Sequence, residues 1–203
     1  MGMEEYAIIL DYLPTGHSED ERPIYKREPV AYGVGDKYLS LLELIPKKDV
    51  ELDPGERVYI GKDDRDKIDY VKRRVEYDDL TAAAISELPY VVEKIVEKEE
   101  KRFVDFFNQS RPISTRYHQI ELLPGIGNRL MWEILDERKK KPFESFKDIS
   151  NRVKAIHDPG HMIVKRIVLE LEGGKELGKG KYKLFTAPPI QKEESRPRRR
   201  GYR

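Results

Sequence analysis

Residues 122–135 read Leu-Leu-Pro-Gly-Ile-Gly-Asn-Arg-Leu-Met-Trp-Glu-Ile-Leu, and no other stretch constrains the local fold as tightly. A Pro-Gly-Ile-Gly turn stands between two segments with helical apolar spacing. Tyr117, Ile120 and Leu123 precede it, and Leu130, Ile134 and Leu135 follow it. Gly125 and Gly127 permit backbone conformations closed to other residues and leave room for close approach. A helix that starts after the turn carries N–H groups without partners and the positive end of its dipole, which suits a phosphate. Two readings share these residues. One is a hairpin offering its backbone to a phosphodiester; the other is a structural turn with Ile126 filling a core gap. The order hydrophobic-Pro-Gly-hydrophobic-Gly between two periodic segments favours the first.

Charge placement points the same way. The net charge of +1 over 203 residues hides an asymmetry: residues 1–110 carry 17 basic and 26 acidic side chains, residues 111–203 carry 22 and 12. The half with the glycine turn is therefore the basic one, as expected for a polyanion partner. Length fits one large or two small domains. The absence of cysteine excludes disulfides, thiolate metal sites and iron–sulfur clusters. Charged residues reach 38% against three Asn and three Gln, a balance that leans towards a thermophilic source. No apolar run is long enough to span a bilayer and the Met-Gly-Met-Glu-Glu start is too acidic for a signal peptide. A cytoplasmic protein without a membrane partner is the expectation.

The first 77 residues read as β-rich. Tyr6 to Leu13 suits a strand buried on both faces, Val30 to Val34 and Tyr38 to Ile45 flank a Gly35-Asp36-Lys37 turn, Arg57 to Ile60 follows Asp53-Pro54-Gly55-Glu56, and Ile68 to Tyr77 is the fifth strand. Five short strands with such turns suggest a small OB-like barrel. Residues 78–110 read as connecting helices, with an interruption at Leu88-Pro89 because proline suits a first helical turn. Residues 111–185 read as a compact helical domain with a second, degenerate hairpin: Phe143, Phe146 and Ile149 restart the apolar pattern, His157-Asp158-Pro159-Gly160 turns, and a helix over Met162 to Leu171 ends at Gly173-Gly174. Tyr182 to Phe185 suits a short strand. Residues 186–203, ending Arg-Pro-Arg-Arg-Arg-Gly-Tyr-Arg, read as a basic disordered tail. The fold class expected is therefore α+β, a barrel followed by a helical domain.

The stretch 117–135 closely resembles the helix-hairpin-helix motif. Base-excision DNA glycosylases contain the motif and resemble this chain at Leu123-Pro124-Gly125-Ile126-Gly127, but their lyase-capable members place a nucleophilic lysine where this chain has Arg129, and a guanidinium does not form the Schiff base. No Gly-Lys-Ser/Thr phosphate loop or Gly-x-Ser-x-Gly elbow is present. His157 and His161 sit four apart, yet Pro159-Gly160 breaks the helical geometry that a shared metal needs, and cap chemistry explains them better. Eight tyrosines lie between Tyr6 and Tyr77. They suit strand packing more than base stacking, because that half is acidic.

From Tyr6 to about Phe185 the chain resembles an archaeal family of unknown function, an OB-like barrel followed by tandem helix-hairpin-helix, for which RNA binding is predicted. The resemblance implies nucleic acid as ligand and supplies the preference for RNA over DNA; it supplies no catalytic residue. The expectation is a non-catalytic nucleic-acid-binding protein with no cofactor or metal. Gly125, Ile126 and Gly127 would offer backbone N–H groups to a phosphate. Asn128 and Arg129 would add side-chain donors, and Lys139, Lys140 and Lys141 would widen the electrostatic footprint. The competing reading is an adaptor of a ribonucleoprotein or repair complex, with structural hairpins and an acidic barrel that docks a basic partner.

Overall fold

The structure, a computed structural model, describes residues 3–173 and 182–186. Strands β1 (Tyr6–Leu13), β2 (Val30–Gly35), β3 (Leu41–Pro46), β4 (Arg57–Tyr59) and β5 (Ile68–Arg74) form one antiparallel sheet in the order β4-β1-β2-β3-β5. All five expected strands are present, although β3 starts at Leu41 rather than Tyr38. Glu4 is the reason. Its buried carboxylate accepts the N–H groups of Lys37, Tyr38 and Ser40 at 2.9–3.2 Å, curling the chain around it with Leu39 at φ 52°.

Side chains alternate across a sheet, so its two faces bury different partners. On one face Ala7, Ile9, Ala31, Leu42 and Leu44 close over Leu52, Val58, Ile60 and Ile68, and the sheet curls into a half-barrel around this small core. A bulge between Ile9 and Asp11 bends β1. Leu10 joins Tyr32, Val34 and Leu41 against the helices. The expected barrel does not close: β4 and β5 remain the edges, with no ladder between them among the described residues.

Helix α1 (Ala82–Lys98) is tied to β1 through Thr81, whose hydroxyl donates to Asp11 at 2.6 Å and accepts the Ala84 N–H at 3.1 Å. The expected interruption at Pro89 is absent; α1 runs through it. Leu88, Val91, Val92 and Ile95 lie buried while Pro89 is exposed. On that outer side water can satisfy the carbonyl a proline leaves unpaired, and burial of the opposite stripe outweighs the cost of about 3 kcal/mol. α2 (Glu100–Gln109) buries Phe103 and Phe107 completely, each contributing about 1.5–3 kcal/mol. α3 (Asn128–Lys140), α4 (Phe146–Arg152) and α5 (Pro159–Glu172) complete the α+β fold.

One cluster of buried side chains runs from Leu10 and Tyr32 through Leu88 and Phe107 to Ile134, Ile149 and Ile167. The core is thus continuous across the expected boundaries at residues 77 and 110, with α1 packed on both β1 and α5. Tyr182–Thr186 is an irregular segment rather than a strand, and Phe185 meets Phe103 and Phe106 edge-on with centroids 5.6 and 4.9 Å away. The expected tail lies outside the described residues except for Thr186. Among the described residues no helix is long and apolar enough to cross a membrane.

Candidate nucleic-acid interface

The segment before the glycine turn is a single 3-10 turn, Gln119–Leu122, rather than the helix its apolar spacing suggests. His118 caps it: Nδ1 accepts the Ile120 N–H at 3.2 Å while Glu121 returns a bond to the His118 N–H at 2.9 Å. Burial pushes the His118 pKa down and the nearby Arg138 charge adds to this, against a smaller opposing effect of Glu121. The neutral ring with a free Nδ1 lone pair is the form that caps. Next, Arg166 of α5 reaches back and donates to the Leu122 carbonyl at 3.0 Å, fixing the base of the turn.

Beyond Leu123 the chain reverses. Ile126 donates its N–H to the Leu123 carbonyl at 3.2 Å and inserts its side chain into the core. Gly125 takes a φ of +83°, a conformation that favours glycine. Gly127 is extended at φ −93° and ψ 175° and precedes α3 as its N-cap without any side-chain cap. A Cβ at Gly125 or at Gly127 would meet nothing within 4 Å. The outer side of the turn is open space.

Ile126 therefore anchors the turn and its N–H is engaged, contrary to the role expected for it. The N–H groups of the first turn of α3 have no acceptors within the helix. Asn128 and Arg129 are exposed, no acidic residue occupies that turn, and the Arg129 side chain has no ion-pair partner among the described residues. The structure thus brings together Gly125, Gly127, Asn128 and Arg129.

Lys139, Lys140 and Lys141 are not part of that surface. They occupy the opposite end of α3, about 16 Å along its axis at 1.5 Å per residue. Each is exposed and paired with a carboxylate: Lys139 with Asp136 at 3.1 Å, Lys140 with Glu137 at 2.6 Å, Lys141 with Glu144 at 2.8 Å. There they complement the negative end of the dipole. Arg138 is half-buried and donates to the Phe107 and Ser110 carbonyls at 2.9 and 3.0 Å, closing the end of α2; burial lowers its pKa. Arg152 donates to the Lys141 carbonyl at 2.8 Å and stacks on Phe143 at 4.5 Å, closing the end of α3. Much of the expected basic footprint is helix-end chemistry. Of the +10 carried by residues 111–203, residues 111–173 hold +3 and residues 174–203 hold +7.

A second turn follows thirty residues on, between α4 and α5. Ile156 donates its N–H to the Val153 carbonyl at 2.9 Å and is buried, as Ile126 is. Here the next helix is capped by its own carboxylate, Asp158 accepting the His161 N–H at 2.8 Å. Pro159 at the first helical position has no N–H, and a Cβ at Gly160 would meet Phe146 at 3.3 Å. His157 and His161 gather no metal site among the described residues.

Three polar groups that hold the site carry no mark in the sequence. Arg166 and Glu170 form a buried pair at 2.8 Å, and the Glu170 carboxylate also accepts the N–H groups of Leu184, Phe185 and Thr186. The i, i+4 spacing of the pair was visible, but nothing local marks it as buried. No spacing marks His118, because it caps its own backbone neighbours.

A family model described as "Protein of unknown function (DUF655)" matches residues 3–187. "Uncharacterized protein MJ0038" of Methanocaldococcus jannaschii is 49% identical over 183 residues, covering 90% of this chain and 80% of that protein. The crystal structure of Af1531 from Archaeoglobus fulgidus superimposes with a TM-score of 0.82 at 52% identity, covering 91% of this chain and all of that one.

Proposed function

The chain belongs to the DUF655 family, and from that premise we propose that it is a non-catalytic nucleic-acid-binding protein that holds a backbone phosphate on the turn at Gly125–Arg129. In this reading residues 119–172 are tandem helix-hairpin-helix units, the first with its leading helix reduced to a 3-10 turn, and the sheet is an OB-like half-barrel left open between β4 and β5. RNA is the preferred ligand by resemblance alone. The observation that carries the proposal is the uncapped start of α3 behind two glycines whose outer faces are empty. Unpartnered N–H groups at the positive end of a helix are a ready anion site, and Arg129 adds a charged donor. Such contacts position a strand without reading its bases, so weak sequence preference is expected.

The test uses Gly127→Val. Gly127 already has a φ that valine adopts and its side chain would enter open space, so folding stability should fall by about 1 kcal/mol or less, the difference between cap residues. The added isopropyl group would stand where the phosphate approaches. We expect duplex RNA affinity to fall at least tenfold with an unchanged circular dichroism spectrum. Unchanged affinity in the folded variant would remove the turn as the contact and favour the adaptor reading, in which the acidic barrel docks a basic partner.

A further inference from the structure

Trp132 is the chain's single tryptophan and it is 53% exposed. Singly exposed aromatic side chains are ordinary on a protein surface, Tyr25 and Tyr90 among them here, so Trp132 is distinguished by its place rather than by its exposure. The core face of α3 is made by Met131, Ile134 and Leu135, with Arg138 continuing the stripe to the end of α2. Trp132 lies off that stripe, three and four residues after Arg129 and Asn128. No other large apolar side chain in α3, α4 or α5 is exposed.

A long side chain on a helix leans towards the N-terminus and covers the turn before its own Cα. By that tendency Trp132 belongs to the face of α3 that carries Asn128 and Arg129, one turn before it. That turn carries Arg129, which has no ion-pair partner among the described residues, and no carboxylate; Glu133, one turn after Arg129, is exposed. Asp136, one turn further on, is engaged by Lys139. A phosphate held at Gly127–Arg129 has its nucleoside attached within a few ångströms. The same helix face carries an exposed aromatic and an exposed cation, residue types that suit the face of a nucleobase.

We propose that Trp132 stacks on an unpaired base whose phosphate is held by the Gly125–Arg129 turn. The inference rests on the phosphate reading and narrows its ligand. A base inside a continuous duplex already stacks on its neighbours and is closed to the indole. The preferred ligand is therefore RNA with a single-stranded extension, a bulge or a junction, in which an unstacked base adjoins the bound phosphate. The backbone groups would bind any strand, and the tryptophan would select the shape.

The single tryptophan makes the test local. The full chain is titrated with a short blunt RNA duplex and with the same duplex carrying single-stranded extensions, following indole fluorescence and, separately, the anisotropy of labelled RNA. Both RNAs should bind. The extended one should bind about tenfold tighter, the scale of one stacked base, and should quench the indole. Trp132→Ala should bind the blunt duplex unchanged and lose the tenfold preference; Trp132→Phe should keep part of it. Equal affinity for the two RNAs, binding of the extended duplex without quenching, or a preference that survives Trp132→Ala would overturn the stacking while leaving the phosphate contact intact. If neither RNA binds the unaltered chain, the phosphate reading falls and the stacking with it. Should Trp132→Ala misfold, quenching in the unaltered chain and the phenylalanine variant decide.

Discussion

In the turn at Leu123–Gly127 and in the turn at Val153–His157, an isoleucine donates its N–H three residues back and drops its side chain into the same continuous core. A helix starts directly after each. The apolar plan is shared, and the polar finish is not. The first turn ends in Gly127, uncapped and open, with Asn128 and Arg129 facing water. The second is followed by Asp158, whose carboxylate accepts the His161 N–H at the helix start, and by a proline with no N–H to offer. Ile126 and Ile156 do the same structural task, so their presence says nothing about ligand. In the proposed function, what would separate a binding turn from a bracing turn is the residue that does not pack.

The two turns are also held differently, and that offers the largest perturbation. The second is braced locally, Ser150 donating to the His157 carbonyl at 3.1 Å. The first depends on a distant pair: Arg166 holds the Leu122 carbonyl, and Glu170 holds both Arg166 and residues 184–186. Glu170→Gln leaves the buried Arg166 without its counter-charge, at a cost of about 3–5 kcal/mol. Denaturant unfolding should show that loss. Hydrogen exchange should quicken first around residues 119–126. A loss below about 1 kcal/mol would mean that the first turn needs no such support.

A smaller effect is expected from converting the second turn towards the first. Asp158→Gly exchanges one acceptable cap for another at a cost of a few tenths of a kcal/mol and removes the carboxylate. Pro159 still withholds one donor, so nucleic-acid affinity should rise only about twofold. The salt slope on duplex DNA should grow by less than the roughly 0.9 expected for a full extra phosphate contact. A tenfold rise would show that the two turns are equivalent sites separated by one carboxylate.

The same contrast explains what was legible in the sequence. All five strands and the turn at Gly125–Gly127 were visible because short apolar runs bounded by turn residues, and glycine chemistry, are local. Pro89 misled because its cost is local while the burial of Leu88, Val91 and Val92 that outweighs it is tertiary. Ile126 was read as a phosphate donor because the bond from its N–H to the Leu123 carbonyl depends on the sharpness of a turn whose dihedrals the sequence leaves open. Lys139–Lys141 looked close to the turn along the chain, yet a helix carries residues apart steadily, and these lie at its far end among carboxylates. Glu4, Glu170 and Arg166 were invisible as structural groups, since burial of a charge is decided by elements far away in sequence.

The central claim is that the open turn, and not its capped counterpart, meets the nucleic-acid backbone. Amide chemical-shift mapping of the isotope-labelled full chain, titrated with duplex RNA, tests it most directly because it reads the N–H groups themselves. The account predicts the largest shifts at Gly125, Gly127, Asn128 and Arg129, smaller ones at Ile126, whose N–H is already bonded, and little change at Val153–His161 or Lys139–Lys141. Largest shifts in the second turn, or in β1–β5 with residues 125–129 unmoved, would contradict it.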